Sequence, residues 1–324
     1  MVNWERIPSP YISSPYTNIY CPSGQIYKGV DTTHFKNNTY YEKWNINDFC
    51  VLKARDGKWH VFGIIHPEPP DFYDSFNFDE MYVHEAENQL FHISFDTIEG
   101  LLNGEKVTEH DIVMYPQMRP GEPEECWAPA VIDDGKQYRM FYTPYTMRTA
   151  VSDDLFNWKA TGSVFDDNMT ASRDPFIYKE DNIYYMIYNY DEELYVRQSE
   201  DLVNWSEKEL FYKNTFAFGS QKLYMDVTAK NVSTESPCFF KRGDWYYLMW
   251  CIFDSTNGGY DNRTLVYASK NIKGFVEGLT PIAMLHGHAP EIICENGKYY
   301  IFSVFQPENG LNLARIDFDC VAKK

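Results

Sequence analysis

Three acidic residues stand at matched places in the sequence. Asp48 follows Asn47, Asp174 lies within Arg173-Asp174-Pro175, and Glu235 lies within Thr234-Glu235-Ser236-Pro237. Trp127-Ala128-Pro129 and His288-Ala289-Pro290 share the outline without the acid. If these stretches converge, three carboxylates share one cavity. Like charges held close raise one another's pKa, and burial adds to the shift. Packing alone gives a fold no reason to accept that cost. Cleavage of a glycosidic bond does: a protonated acid serves the leaving oxygen, and an ionised base or nucleophile works across the sugar ring. A third carboxylate can hold the acid's proton on until it is needed. Any one of these acids taken singly is better read as a strand-end cap that bonds backbone amides; three at matched places favour chemistry.

The elements that must position them are written five times. Residues Asn47 to Gly63, Trp127 to Tyr142, Arg173 to Asn189, Glu235 to Trp250 and His288 to Val304 share one pattern. A short apolar run leads to a turn, and an aromatic-rich run returns from it. A short apolar run bounded by turn residues reads as a buried strand. The tips Asp56-Gly57, Asp134-Gly135, Asp181-Asn182, Gly243-Asp244 and Asn296-Gly297 tolerate the positive φ that tight hairpins require. A third element follows: Ala150 to Trp158 and Val196 to Trp205 are near copies, and Val266 to Phe275 and Phe91 to Gly100 are weaker echoes. They read as a third strand, a turn and an outer strand.

Three to four antiparallel strands per repeat, repeated radially, predict a five-bladed β-propeller, an all-β fold with almost no helix. The irregular spacing of the tips differs from the regular 40–45-residue period of WD40 repeats. Such uneven loops suit a shaped pocket. Pro67 to Gln89 reads as an insertion over one face. Residues 1–44 hold no repeat and are expected to close the ring by adding a strand to the last blade, so 1–324 reads as a single domain. The first strand of each blade lines the central channel, which brings Asp48, Asp174 and Glu235 to one mouth.

Composition narrows the function. The chain has 324 residues and a formal charge of −18, which repels phosphate backbones and anionic lipid and argues against nucleic-acid or membrane-surface partners. The apolar run from Trp245 to Phe253 is about half of a membrane span. Aromatic residues reach 17%, a β-biased composition. Seven cysteines without a CxxC pair read as buried reduced thiols and favour a reducing compartment. The N-terminus has no basic or apolar leader region, so a cytoplasmic protein is expected unless a leader has been removed. No Gly-x-Ser-x-Gly, P-loop or Gly-x-Gly-x-x-Gly motif occurs.

With Asn47-Asp48, Arg173-Asp174-Pro175 and Thr234-Glu235-Ser236-Pro237 on a five-fold hairpin, the sequence over about residues 45–320 resembles the five-bladed β-propeller glycoside hydrolases. That superfamily includes families 43, 62 and 117 and the fructosidase families 32 and 68. The family 43 resemblance implies Asp48 as general base, Asp174 as the group that tunes pKa and orients, and Glu235 as general acid. Asp48 is followed by Phe49 where family 43 usually has Pro. Arg173-Asp174-Pro175 also looks like the Arg-Asp-Pro of the fructosidases, and Trp44 to Asp48 faintly resembles their Trp-Met-Asn-Asp-Pro. In those enzymes the first Asp is a nucleophile and configuration is retained. The short repeats and Thr-Glu-Ser-Pro look more like family 43, so the expected activity is inverting hydrolysis of a plant- or microbe-derived oligosaccharide.

Asn47, His66, Trp127, Arg173, His288 and Glu291 are candidate substrate-binding residues. The Trp127 indole could stack on a sugar face or simply pack. Arg173 could bond a substrate hydroxyl or steady Asp174. His286 and His288 point to one face of a strand, and packing explains them better than a metal. The resemblance implies a fifth-blade His, here His288, near a central calcium held mostly through waters; no cofactor is otherwise required. His84 to Asn88 lacks the second His of a zinc HExxH motif. Two other readings stay open: a retaining β-fructosidase-like hydrolase with Asp48 as nucleophile, and a non-catalytic propeller that binds glycans or a protein partner.

Overall fold

The computed structural model describes residues 6–68, 85–165, 172–190, 192–214, 221–223, 227–229, 232–254, 259–276, 279–305 and 310–322. Most of the Pro67–Gln89 insertion lies outside the described residues. Strand accounts for 59% of the chain and helix for 4%, arranged as five blades around an axis.

Blade 1 runs through Tyr40–Lys53, Trp59–Pro67, Leu90–Phe95 and Thr108–Glu109, with Ser23–Ile26 added beside its first strand. Blade 2 holds Trp127–Asp133, Tyr138–Thr143, Arg148–Ser152 and Lys159–Ser163. Blade 3 holds Arg173–Glu180, Ile183–Tyr190, Glu193–Ser199 and Glu209–Tyr212. Blade 4 holds Val232–Arg242, Trp245–Asp254, Gly259–Ser269 and Ala283–His286. Blade 5 takes His288–Glu295, Lys298–Val304 and Leu311–Ala322 from the C-terminal part, and its outer strand, Arg6–Ile12, from the N-terminal part. That strand pairs antiparallel with Leu311–Ala322 from Arg6↔Ala322 to Ile12↔Ile316. The inner strands of neighbouring blades pack on one another, and the fifth packs on the first, so the ring is closed.

Each sheet is buried on both faces, which is why its second strand reads as an unbroken apolar run. Successive side chains of a strand point to opposite faces. In blade 4, Leu248 and Trp250 pack towards blade 3 with Ile187, Val196 and Phe239. Tyr247 and Met249 pack towards blade 5 with Ile292, Ile301 and Ile316. Blade 2 divides likewise: Met140 and Tyr142 meet Phe62 and Ile64 of blade 1, while Phe141 meets Met186 and Tyr188 of blade 3. The ring's last interface joins Trp44, Val61 and Phe91 to Tyr300, Phe302 and Leu313.

The near-copy segments fold as near-copy turns. Asp154 accepts from the amides of Phe156 and Asn157 at 2.9 and 2.8 Å, and Asp201 accepts from those of Val203 and Asn204 at 2.9 and 2.7 Å. Leu155 and Leu202 take positive φ in the same place. Blade 1 departs from the expected pattern. Its third strand is followed by the helix Ile98–Leu102, capped by Thr97 Oγ1 on the Gly100 amide at 3.0 Å, before the two-residue outer strand. Thr97 is a favoured N-cap residue, and Glu99 in the first turn suits the helix dipole.

Candidate active site

A repeated backbone irregularity aims the blade openings. The pairing register of the inner strand shifts between Trp127 and Ala130, Arg173 and Phe176, Glu235 and Cys238, and His288 and Glu291. At each shift the residue before Pro is left-handed: Ala128 at φ 41°, Asp174 at 54°, Ser236 at 46° and Ala289 at 48°. Such a bulge bends the strand and redirects its side chains. Blade 1 shifts between Ile46 and Phe49, with Asn47 and Asp48 in the bulge and no positive φ there. Asp48, Phe49, Ala128, Pro129, Asp174, Pro175, Ser236, Pro237, Ala289, Pro290 and Glu291 together line an axial cavity of about 20 Å³, room for one water-sized sphere.

Asp48 and Asp174 line this cavity, and Glu235, which does not, is linked to them through two shared residues. Ser236 Oγ donates to Asp48 Oδ1, and the Ser236 amide donates to Asp174 Oδ2 at 3.1 Å. Arg173 brings Nε to 3.6 Å from Asp174 Oδ2 and Nη2 to 3.7 Å from Glu235 Oε1. His288 Nε2 lies 4.0 Å from Glu235 Oε2. The strand carrying Glu235 is fixed from blade 3: Arg173 Nη2 donates to Ser233 Oγ at 3.0 Å, and Asn189 Nδ2 donates to the carbonyl and hydroxyl of Thr234.

Burial dominates the electrostatics. It pushes Asp48 up to about 6, with the Glu87 charge adding to the rise and the Ser236 hydroxyl and Arg173 opposing it. Burial and then the Asp48 charge push Asp174 to about 6, against Arg173. Glu235 is raised well above the usual carboxylate range by burial, and the Asp174, Asp48 and Glu87 charges add to that while Arg173 opposes it. The cluster therefore offers a proton-holding Glu beside two carboxyls that ionise near pH 6.

The remaining candidates fall into two sets. Arg173 and His288 touch the acid cluster, and Glu291 lines the cavity, where burial raises its carboxyl well above the usual range. Asn47 is buried next to Asp48. His66 is buried at the same end of blade 1, paired across the strands with Asn45, and its Nδ1 lies 3.0 Å from the Pro67 carbonyl. Trp127 opens blade 2 half-buried, its ring 6.2 Å from that of Tyr145.

The sequence does not announce Glu87, whose charge reaches both Asp48 and Glu235. It is buried in the connection Ala86–Gln89. Arg119 pins that connection, donating Nη2 to the Asn88 carbonyl at 3.1 Å and Nε to the Met114 carbonyl at 2.6 Å.

The geometry agrees with comparisons to known proteins. The family model "Glycosyl hydrolases family 32 N-terminal domain" matches residues 103–235. No curated protein matches the chain. Among solved structures, the endo-arabinase from Bacteroides thetaiotaomicron is similar with a TM-score of 0.59 at 14% identity, covering 86% of this chain and 95% of that one. A thermostable family-43 glycoside hydrolase matches with a TM-score of 0.58 at 12% identity, covering 87% of this chain and 91% of that one. The Bombyx mori family 32 β-fructofuranosidase matches with a TM-score of 0.58 at 16% identity, covering 85% of this chain and 62% of that one. The fold is thus the five-bladed propeller shared by glycoside hydrolase families 43 and 32. Over residues 103–235 the chain is also similar in sequence to the family 32 glycoside hydrolase domain.

Proposed function

We propose that the protein hydrolyses short oligosaccharides or simple glycosides with inversion at the anomeric carbon. Glu235 protonates the leaving oxygen, and Asp48 takes a proton from the attacking water. Asp174 orients Asp48 through the shared Ser236 and keeps the proton on Glu235. Asn47, His66, Trp127, Arg173, His288 and Glu291 bind the sugar around them. One observation carries this reading: three acids from three blades are held together by one serine and one arginine, with Glu235 raised well above the usual carboxylate range. A glycan-binding surface has no use for a protonated Glu opposite a carboxylate. Arabinosides and xylosides are the first substrates to try.

A second reading is retention with Asp48 as nucleophile, in line with the family 32 likeness over residues 103–235. Inverting enzymes keep their two carboxyls about 6.5–9.5 Å apart to admit water, and retaining ones about 5–5.5 Å.

A calcium ion on the axis is compatible with the residues present. Glu291 is a raised carboxyl facing the cavity, and burial is the cause of its shift. His288, through water, would hold the ion, with Glu291 lining the same cavity. When bound, it would supply positive charge to the acid cluster, and oxygen donors suit it. Protein residues alone carry out the proton transfers.

The test is a screen of aryl glycosides and oligosaccharides, with proton NMR following the first-formed anomer. Inverted product is expected. Retained product would replace the proposal by its alternative. Binding without turnover would leave only a glycan-binding propeller. Glu235→Gln is expected to lower turnover by about 10²–10⁴-fold, with a smaller loss for leaving groups of low pKa and an unchanged circular dichroism spectrum. Wild-type turnover in that variant would remove Glu235 from the mechanism.

A further inference from the structure

The second and third strands of blade 1 carry His60 and His92, and His110 follows the outer strand. Possible ligand atoms from the three rings all lie within 4.8 Å of one another. His60 Nδ1 is 2.8 Å from His92 Nε2, and the His110 ring centroid is 4.5 Å from that of His92. We propose that His60, His92 and His110 bind one divalent transition-metal ion of the zinc class at the base of blade 1, apart from the acid cluster.

Three features go beyond mere proximity. First, the outer nitrogens are already oriented. His60 Nε2 sits 3.1 Å from Asp56 Oδ2, and His110 Nε2 sits 2.8 Å from Ser94 Oγ. Metal-bound histidines are held in this way by a carboxylate or hydroxyl on the second ring nitrogen. Second, His92 is fully buried and stacked on Phe62 at 4.2 Å, and among the described residues its Nδ1 has no hydrogen-bond partner. Packing alone would favour an apolar residue there, because an unsatisfied buried polar atom costs about 1–3 kcal/mol. Third, the three rings pack on one another, the His60 centroid lying 5.1 Å from that of His92 and 6.2 Å from that of His110.

The ligand nitrogens, spread over up to 4.8 Å, reach the ion's needs after small shifts. Zinc–nitrogen bonds of about 2.0–2.1 Å at a tetrahedral angle separate two ligand nitrogens by about 3.3 Å. The hydrogen-bonded pair at 2.8 Å must therefore open by about half an ångström. Three imidazoles leave a fourth position for water. His110 is half-buried, and Phe156 of blade 2 lies edge-on to it at 5.0 Å, so the ion would tie the outer part of blade 1 beside its neighbour. His60 pairs with Leu52, four residues along the inner strand from Asp48, or about 13 Å at the usual rise. The ion is therefore structural, without contact to the reacting sugar.

The test uses the full chain, stripped with EDTA and titrated with zinc chloride by calorimetry. Bound metal is counted after dialysis, and cobalt serves as a visible-absorption probe. The wild type is expected to take one equivalent, to show a cobalt band of tetrahedral type, and to melt at a higher temperature with zinc. His110→Ala is expected to lose at least about tenfold in affinity, together with the cobalt band and the thermal shift. His34→Ala, at an exposed site bonded to Glu85, should change none of these. If His110→Ala fails to fold, His110→Gln, which keeps a partner for Ser94, takes its place. No equivalent bound by the wild type, or unchanged binding in the His110 variant, overturns the proposal.

Discussion

Asp174→Asn is expected to stabilise the protein at neutral pH while impairing it as a catalyst. The change is nearly isosteric, and asparagine tolerates the φ of 54° at this position. In the folded protein Asp174 titrates at about 6 rather than 3.8. About two units at 1.36 kcal/mol each make ionised Asp174 a burden of at most about 3 kcal/mol. Asparagine can still accept from the Ser236 amide, but Arg173 loses a carboxylate at 3.6 Å, which returns about 1 kcal/mol. The net gain is about 1–2 kcal/mol, or about 1.5–3 °C in Tm for a chain of this size.

The sign of the pH dependence follows from the raised value. Below the unfolded pKa both states hold the proton and the burden is absent; it grows between the two values and is complete above about 6. The gain from Asp174→Asn should thus be full at neutral pH and vanish towards about pH 4. Thermal melts of both proteins across that range measure it. Kinetics supply the second readout. The Asp174 charge helps raise Glu235, so its removal should move the alkaline limb of the rate profile to lower pH. A lower Tm than wild type at neutral pH, or a gain that persists near pH 4, would refute the argument that this carboxyl is held at the expense of stability.

In the wild type, kcat/KM should rise through about pH 6 as Asp48 and Asp174 lose protons and fall at higher pH as Glu235 ionises; a profile without an acidic limb would exclude Asp48 as base. Trp250→Ala, at the fully buried interface of blades 3 and 4, should cost about 3–5 kcal/mol in urea unfolding. The buried thiols of Cys50, Cys126, Cys238 and Cys251, all raised by burial, should react with a disulfide reagent only after unfolding. Modification in the native state would contradict their burial.

The blade openings are legible in the sequence because a proline follows in four of the five and an aromatic run returns in all of them. That periodicity suffices for the propeller and for the convergence of Asp48, Asp174 and Glu235. The left-handed residues before proline are less visible, since Ala128 and Ala289 carry no sign of positive φ in their side chains. Ser236 reads as a spacer, yet it joins two carboxylates, one through its hydroxyl and one through its amide. Glu87 escapes the pattern because it belongs to a connection and is placed by Arg119, a contact of tertiary structure alone. The three histidines are equally silent: their meeting depends on strand register, which brings His60 opposite Ser94 and Phe62 opposite His92. Helix Ile98–Leu102, capped by Thr97, stands before the outer strand of blade 1 where the echo from Phe91 to Gly100 suggested only a turn.

The strand that completes blade 5, Arg6–Ile12, is made long before its partner Leu311–Ala322. At about 5–20 residues per second, Arg6–Ile12 waits roughly 15–60 s on the ribosome for its mate. An unpaired strand left open so long invites pairing with other nascent chains. Pro8 and Pro10 within it, and Pro15 just beyond, withhold the amide hydrogens that such pairing needs. Once the mate arrives, the same segment docks through Ile7 in the core, the Pro8 carbonyl accepting from the Tyr247 hydroxyl at 2.7 Å, and Ser9 Oγ donating to the Ile282 carbonyl at 3.1 Å. Proline here guards the chain during translation, and the neighbouring blade secures it afterwards.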